Sequence, residues 1–332
     1  MASVEIKTAA QLDLMRSAGL VVARTLRVLA GAAVPGVTTG ELDRLALREI
    51  SAAGAVPSFL GYLGYPATIC TSVNEEVVHG IPGPNRTLRD GDLISIDCGA
   101  IVGGWHGDAA VTVGVGTVSD EDAALIAACE AALWRGIGAA TVGARLGDIG
   151  HAVSSGASGY GVVREYTGHG IGSQMHMHPA VPNYGVPGRG TRLAPGMALA
   201  IEPMLTLGSP AVVEQPDGWT VVTADGRRAA HFEHTVAITP EGPRVLTADL
   251  SRTAEVRPPK TPFPRARHPP AAFPAAAPCA SAPRASAPPH PAPRAPRLRA
   301  RPPRPASRTG HSTHSERADG RARLLRPVTL PD

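Results

Sequence analysis

Two stretches of this chain repeat one another in order, and that constrains its fold more than any other feature. In the first, Thr8-Ala-Ala-Gln11 reads as a capping box opening a helix to about residue 30. Pro35-Gly36 breaks that helix, and Thr38-Thr-Gly-Glu41 opens a second, ended by Gly54. Strand-like runs follow at 67–73 and 93–98, then a Gly103-Gly104 turn and a run at 109–114. In the second, Ser119-Asp-Glu-Asp122 opens a helix to about residue 140, and another begins near Leu146. Strands return at 198–201 and 235–238. Helix, helix, strands thus occurs twice.

The details match as well. Gly40-Glu41-Leu42 resembles Gly147-Asp148-Ile149, and His79-Gly-Ile resembles His169-Gly-Ile. Gly91 precedes Asp97 by six residues, as Gly196 precedes Glu202. Asp108 is followed at the third and fifth positions by Val111 and Val113, and Glu233 by Val236 and Ile238. Any two sheets of an α+β domain share some of this, but four matches in register argue for duplicated halves. Two like halves pack about a pseudo-twofold axis, and whatever each contributes from its strands meets in the middle.

Each half contributes acids. Asp97 ends one apolar run and Asp108 begins the next, while Glu202 and Glu233 repeat the arrangement across a longer loop. An Asp after a strand is ordinarily a turn residue, so neither aspartate means much alone. Glu202 after Ile201 and Glu233 after Phe232 are different, because a carboxylate beside a buried run is costly unless paired or bound to metal. Four carboxylates and His169 converging on one place need cations between them, and oxygen ligands with one imidazole suit a pair of divalent transition ions. In that reading Asp97 chelates one ion, Asp108 and Glu233 bridge both, and His169 and Glu202 complete the other. His79 and His176 remain as groups to hold an amide or stabilise an oxyanion. His231 and His234 read as strand-edge or supporting residues, His106 as a turn residue, and His151 as part of the fourth helix.

Composition sets the boundaries. Residues 251–332 carry 16 Arg or Lys against 4 Asp or Glu, and 19 of the 33 prolines. Such a stretch buries too little apolar surface to offset its ordering entropy and is expected to be a disordered basic tail behind a folded domain, 1–250. Its charge suits transient contact with a ribosome. Its Arg, Pro and Ala content equally suits an unselected extension, and composition alone does not separate the two. The four cysteines, Cys70, Cys98, Cys129 and Cys279, form no CxxC pair, so neither a zinc knuckle nor a disulfide framework is indicated. Charged residues interrupt every apolar stretch near the start, which argues against a signal peptide or membrane span and for the cytoplasm.

The segments His79-Gly-Ile-Pro, Asp97-Cys-Gly, Gly107-Asp108, Thr167-Gly-His169-Gly-Ile-Gly172, Ile201-Glu-Pro-Met204 and Phe232-Glu-His-Thr235 together resemble type I methionine aminopeptidases of the short bacterial form. The resemblance spans about residues 4–247. It implies the pita-bread α/β (α+β) fold, two pseudo-symmetric halves around a central dinuclear metal site. It implies a monomer that removes the initiator methionine from nascent chains when the next residue is small. Carried over by position, the family's ligands for two divalent ions (Co, Mn, Fe or Zn) fall on Asp97, Asp108, His169, Glu202 and Glu233. Its catalytic groups fall on His79, His176 and Glu202, the last as proton shuttle. Phe59, Tyr62, Tyr65, Cys70, Met175 and Trp219, with the two histidines, are the implied substrate site, apolar enough for an unbranched thioether. The chain departs from the family at Met175-His176-Met177-His178, where an acid after the histidine is missing and a second imidazole appears. An Xaa-Pro peptidase of the same fold, or a non-catalytic binding protein built on it, are the alternatives. The latter predicts broken ligands, and all five are present.

Overall fold

The computed structural model describes residues 4–248, so the expected tail lies outside the described residues. Helices α1 (Ala9–Ala32) and α2 (Thr39–Ala52) open the first half. Both capping boxes form: Thr8 Oγ1 accepts the Gln11 N–H at 3.3 Å while Gln11 Oε1 accepts the Thr8 N–H at 2.7 Å, and Thr38 and Glu41 make the same exchange. Five short and long strands follow: β1 (Val56–Pro57), β2 (Ile69–Val73), β3 (Glu76–Val78), β4 (Leu93–Val102) and β5 (Trp105–Gly114). Helices α3 (Asp120–Ala139) and α4 (Leu146–Gly156) open the second half. After them come β6 (Gly161–Val162), β7 (Gly168–Gly170), β8 (Met177–Val181), β9 (Ala198–Ile201) and β10 (Met204–Thr206). The described chain finishes through β11 (Val212–Glu214), β12 (Val221–Thr223), β13 (Ala229–His231), β14 (Glu233–Thr239) and β15 (Gly242–Val245).

The large sheet runs β1-β4-β5-β14-β9-β7-β8, with β2 also on β4 and β15 on β14. Its pairings are antiparallel. Each half has its own core. Val22, Leu26, Leu29, Leu42 and Ile50 of α1 and α2 pack on Ile94 and Ile96 of β4. Leu125, Leu133, Ile149 and Val153 of α3 and α4 pack on Leu199 and Ile201 of β9 and Val236 and Ile238 of β14. Close approach of α1 to β5 depends on Gly107, where an added Cβ would lie 2.7 Å from the Gly19 nitrogen.

The internal repeat is visible in geometry. Gly91 and Gly196 both take φ +87°, in the left-handed region that favours glycine. Each ties its turn to the end of a strand, Gly91 N–H to the Val115 carbonyl at 2.8 Å and Gly196 N–H to that of Ile238 at 3.0 Å. Gly40 and Gly147, in the first turns of α2 and α4, donate in the same way to Gly83 (3.0 Å) and Arg189 (2.9 Å). The match of His79 with His169 fails. His169 lies on β7, which pairs with β9 as β2 pairs with β4. His79 follows β3, and its neighbour Gly80 accepts a bond from Thr71 of β2. The second-half counterpart of that position is the segment of His176, which leads into β8 beyond β7.

Strand lengths also differ from expectation. β4 and β5 continue through Asp97 and Asp108 to a two-residue hairpin at Gly103-Gly104, with Val102 opposite Trp105. The aspartates are therefore mid-strand. The Cys98-Gly-Ala stretch has weak strand propensity, but β2 pairs one side of Asp97 and β5 the other, and that pairing overrides it. Among the described residues no helix is long and apolar enough to cross a membrane.

Candidate active site

The order of strands across the sheet, β4-β5-β14-β9-β7, is also an order of side chains. Asp97 stands on β4, Asp108 on β5, Glu233 at the start of β14, Glu202 just past the end of β9, and His169 on β7. All five line one cavity of about 180 Å³. Its remaining lining is Phe59, Tyr62, Tyr65, Cys70, His79, Met175, His176 and Trp219, so every residue singled out in the sequence meets there, and Leu63 joins them.

The floor is polar and deeply set. Ligating atoms of Asp108, His169 and Glu233 lie within 4.8 Å of one another, and so do those of Glu202, His231 and Glu233. Glu233 belongs to both groups and Asp97 to neither. His169 Nδ1 is 2.9 Å from the Gly170 carbonyl. A carbonyl only accepts, so the proton sits on Nδ1 and Nε2 keeps its lone pair, 3.5 Å from Glu202 Oε1. Burial pushes the Asp97 carboxyl up to about 7 and raises Asp108, Glu202 and Glu233 well above the usual carboxylate range. Mutual repulsion adds to this for Asp108 and Glu233. Burial, then the neighbouring His176, lowers His169 to about 3.

These side chains fit divalent cations. Six buried side-chain polar atoms among the described residues lack a hydrogen-bond partner, and four are here: Asp97 Oδ1, Asp108 Oδ1, Glu233 Oε1 and His231 Nε2. Such atoms are costly unless something binds them. A cation answers both the orphaned oxygens and the crowded negative charge.

The wall is apolar. Phe59, Tyr65, Cys70 and Met175 are buried, with Tyr62 and Trp219 packed around them. Tyr65 meets Trp219 edge-to-face at 5.0 Å and Phe59 at 6.5 Å. Its hydroxyl donates towards the Ile69 and Gly80 carbonyls, 3.1 and 3.0 Å away. Burial raises the Cys70 thiol well above its ordinary value, so it lines the pocket as a neutral group. His79 is held at φ +60°, strained for a residue with a side chain, and burial lowers it to about 4. His176 stands at the mouth, 3.0 Å from the Tyr62 hydroxyl through Nδ1.

Of the remaining histidines, His106 alone differs from the sequence reading. His231 is the edge-strand, supporting residue expected: it is buried at the end of β13, which flanks β10 at the edge of a three-stranded sheet, with Nε2 3.7 Å from Glu202 Oε2. Its spacing of two from Glu233 in extended chain was the available signal, since alternate residues share a face. His106 is not in a turn but in β5, buried, with Nδ1 3.0 Å from Ser58 Oγ. Leu63 was missed because nothing local marks it. It is 81% exposed at φ +49°, between Gly61 and Gly64. His234, on the opposite face from Glu233, bonds Thr247 Oγ1 at 2.9 Å.

Known proteins are similar to this chain in sequence and fold. The family model for metallopeptidase family M24 matches residues 13–240. Methionine aminopeptidase 1 of Mycobacterium tuberculosis is 55% identical over 249 residues, covering 73% of this chain and 94% of that one. Methionine aminopeptidase of Clostridium acetobutylicum is 53% identical over 244 residues, covering 73% and 98%. The crystal structure of Thermotoga maritima methionine aminopeptidase superposes with a TM-score of 0.73 at 42% identity, covering 74% of this chain and 100% of that one. With the same curled antiparallel sheet and a metal-competent cluster at its centre, the chain belongs to metallopeptidase family M24, among its methionine aminopeptidases.

Proposed function

We propose that the chain removes methionine from the N-terminus of nascent chains when the next residue is small, acting as a cytoplasmic monomer. The observation that carries this reading is an apolar cup of methionine size opening directly onto a buried cluster of four carboxylates. Asp97, Asp108, His169, Glu202 and Glu233 would hold two divalent ions of the Co, Mn, Fe or Zn class. Such ions supply a nucleophilic hydroxide at neutral pH and electrophilic pull on a carbonyl.

The chain's own groups do the rest. Phe59, Tyr65, Cys70 and Trp219 enclose the thioether and exclude water from it. His79, kept neutral by burial, offers a ring nitrogen to the substrate amide. His176 offers one to the carbonyl oxygen as charge develops there. Glu202, held charged when ions are bound, would take a proton from the attacking water and pass it to the leaving amine.

The test is a peptide assay with protein stripped of metal and reloaded with Mn, Fe, Co or Zn. Met-Ala peptides are cleaved, Met-Leu peptides far more slowly, and Xaa-Pro peptides not at all. Cleavage of Xaa-Pro alone overturns the reading.

A further inference from the structure

The two histidines outside the ligand cluster are each served by a tyrosine from the other half of the molecule. Tyr166, just before β7, meets the His79 ring edge-to-face with centroids 5.6 Å apart. Tyr62, ahead of β2, lies 5.3 Å from the His176 ring, and only this pair adds a hydrogen bond, Tyr62 hydroxyl to His176 Nδ1 at 3.0 Å. The short turn Tyr62–Gly64 holds that hydroxyl in place through Tyr62 N–H to the Phe59 carbonyl (2.9 Å) and Tyr65 N–H to the Tyr62 carbonyl (2.9 Å). His176 comes from the loop between β7 and β8, so the bond ties two loops of opposite halves across the cavity mouth.

We propose that Tyr62 is a positioning residue as well as part of the methionine pocket: its hydroxyl donates to His176 Nδ1, which keeps the imidazole proton on Nε2 and presents Nε2–H to the cavity. An imidazole bonded at one nitrogen has its tautomer set by that bond. A phenol that donates leaves the far nitrogen a donor, which is what a developing oxyanion needs. Partial burial raises the Tyr62 hydroxyl above its ordinary value, so it remains a neutral donor at working pH. Without the hydroxyl, ring rotation and both tautomers become accessible to His176, which is exposed at the mouth.

This inference rests on the aminopeptidase reading for its kinetic arm and is independent of it for the spectroscopic one. In wild-type protein carrying isotope-labelled histidine, the His176 ring nitrogens are expected to show Nδ1 unprotonated and Nε2 protonated, and Tyr62→Phe to give a mixture. On a Met-Ala peptide Tyr62→Phe, which keeps the ring, is expected to lower kcat about tenfold with KM changed less than about twofold, as for one lost hydrogen bond. The same change in a His176→Ala background is expected to have no further effect on kcat. Tyr166→Phe, at the contact made by rings alone, is the control and leaves kcat unchanged. A wild-type Nδ1 that carries the proton overturns the proposal. So does an equal loss in both backgrounds. Wild-type protein inactive on Met-Ala would sink the aminopeptidase reading while leaving the tautomer measurement to decide this one.

Discussion

Thr235 closes a ring on the backbone of Asp108: its hydroxyl donates to the Asp108 carbonyl at 2.8 Å and accepts the Asp108 N–H at 3.0 Å. The ladder between β5 and β14 pairs Ala110 with Glu233 and Ala109 with His234 and goes no further. Where the strands part, the threonine side chain satisfies the groups that a neighbouring backbone would have taken. Thr112 does the same for His231, accepting its N–H and donating to its carbonyl, both at 2.8 Å. Two buried hydroxyls, one on each central strand, thus fix the backbone beneath Asp108 and His231.

Thr235→Val keeps the shape and removes the hydroxyl, stranding a buried donor and acceptor. The expected loss is about 2–3 kcal/mol of stability by urea unfolding. A drop in divalent-ion affinity should accompany it, because Asp108 loses its fixed backbone. Unchanged ion affinity in a destabilised protein would mean that Thr235 supports the strand and not the site.

His231 should matter more than an ordinary supporting residue. Its Nε2 is buried without a hydrogen-bond partner and 3.7 Å from Glu202 Oε2. His231→Ala is expected to weaken ion binding or turnover by about 10- to 100-fold, the usual effect of removing a group that orients a ligand. Calorimetric titration with Mn or Co reads the first and the Met-Ala assay the second. If neither moves, the contact with Glu202 is incidental.

Stability of the metal-free protein should rise on acidification. The Asp97 carboxyl lies at about 7 in the native protein against an ordinary 3.8, burial being the main cause. Between those values the native state holds a proton that the unfolded chain releases, so its contribution is full below about pH 4 and is lost as pH rises towards 7. Asp108, Glu202 and Glu233 are displaced the same way. The Tm of chelator-treated protein is therefore expected to climb as pH falls from roughly 9 to 7, above the range where the buried histidines, lowered from 6.5, oppose it by protonating in the unfolded chain. Bound ions hold the carboxylates charged, so the loaded protein should show little of this rise. A chelated protein whose Tm falls over that interval contradicts the account.

What could be read in the sequence was whatever leaves a local mark. Capping boxes at Thr8 and Thr38 name helix starts because the cap and its partner lie three residues apart. Glu202 and Glu233 stand out because acids beside apolar runs are costly, and the repeat of Gly91 and Gly196 sets their register. His231 was legible as a strand-edge or supporting residue, but not which group it supports, because its contact is with Glu202, far away in the chain. Tyr62 was legible as pocket lining, but its bond to His176 spans 114 residues and leaves no local pattern. The equivalence of His79 with His169 went wrong for the same reason: short identical strings matched, while sheet pairing, a long-range property, put the two at different positions.

Gly99 offers a way to alter the pocket without touching the cluster. It faces Asp108 across the β4–β5 ladder, but its missing side chain points elsewhere: an added Cβ would lie 2.7 Å from Ser58 Cβ and 2.9 Å from Phe59 Cε1. Those distances are too short to keep, and Ser58 Cβ is close to the backbone, so the 58–59 segment has to shift. Phe59 is buried in the cup against Tyr65, and its displacement narrows the space for the thioether. Gly99→Ala is therefore expected to raise KM for Met-Ala peptides about tenfold, the scale of a methylene-sized misfit in an apolar pocket. Divalent-ion affinity should stay within about twofold, since Asp97 and Asp108 keep their strand pairing. Some stability is lost as well, of the order of 1–3 kcal/mol for an overpacked core. Ion affinity that falls while KM holds would show the substitution acting through the strands under the carboxylates, and would remove Phe59 as the cause.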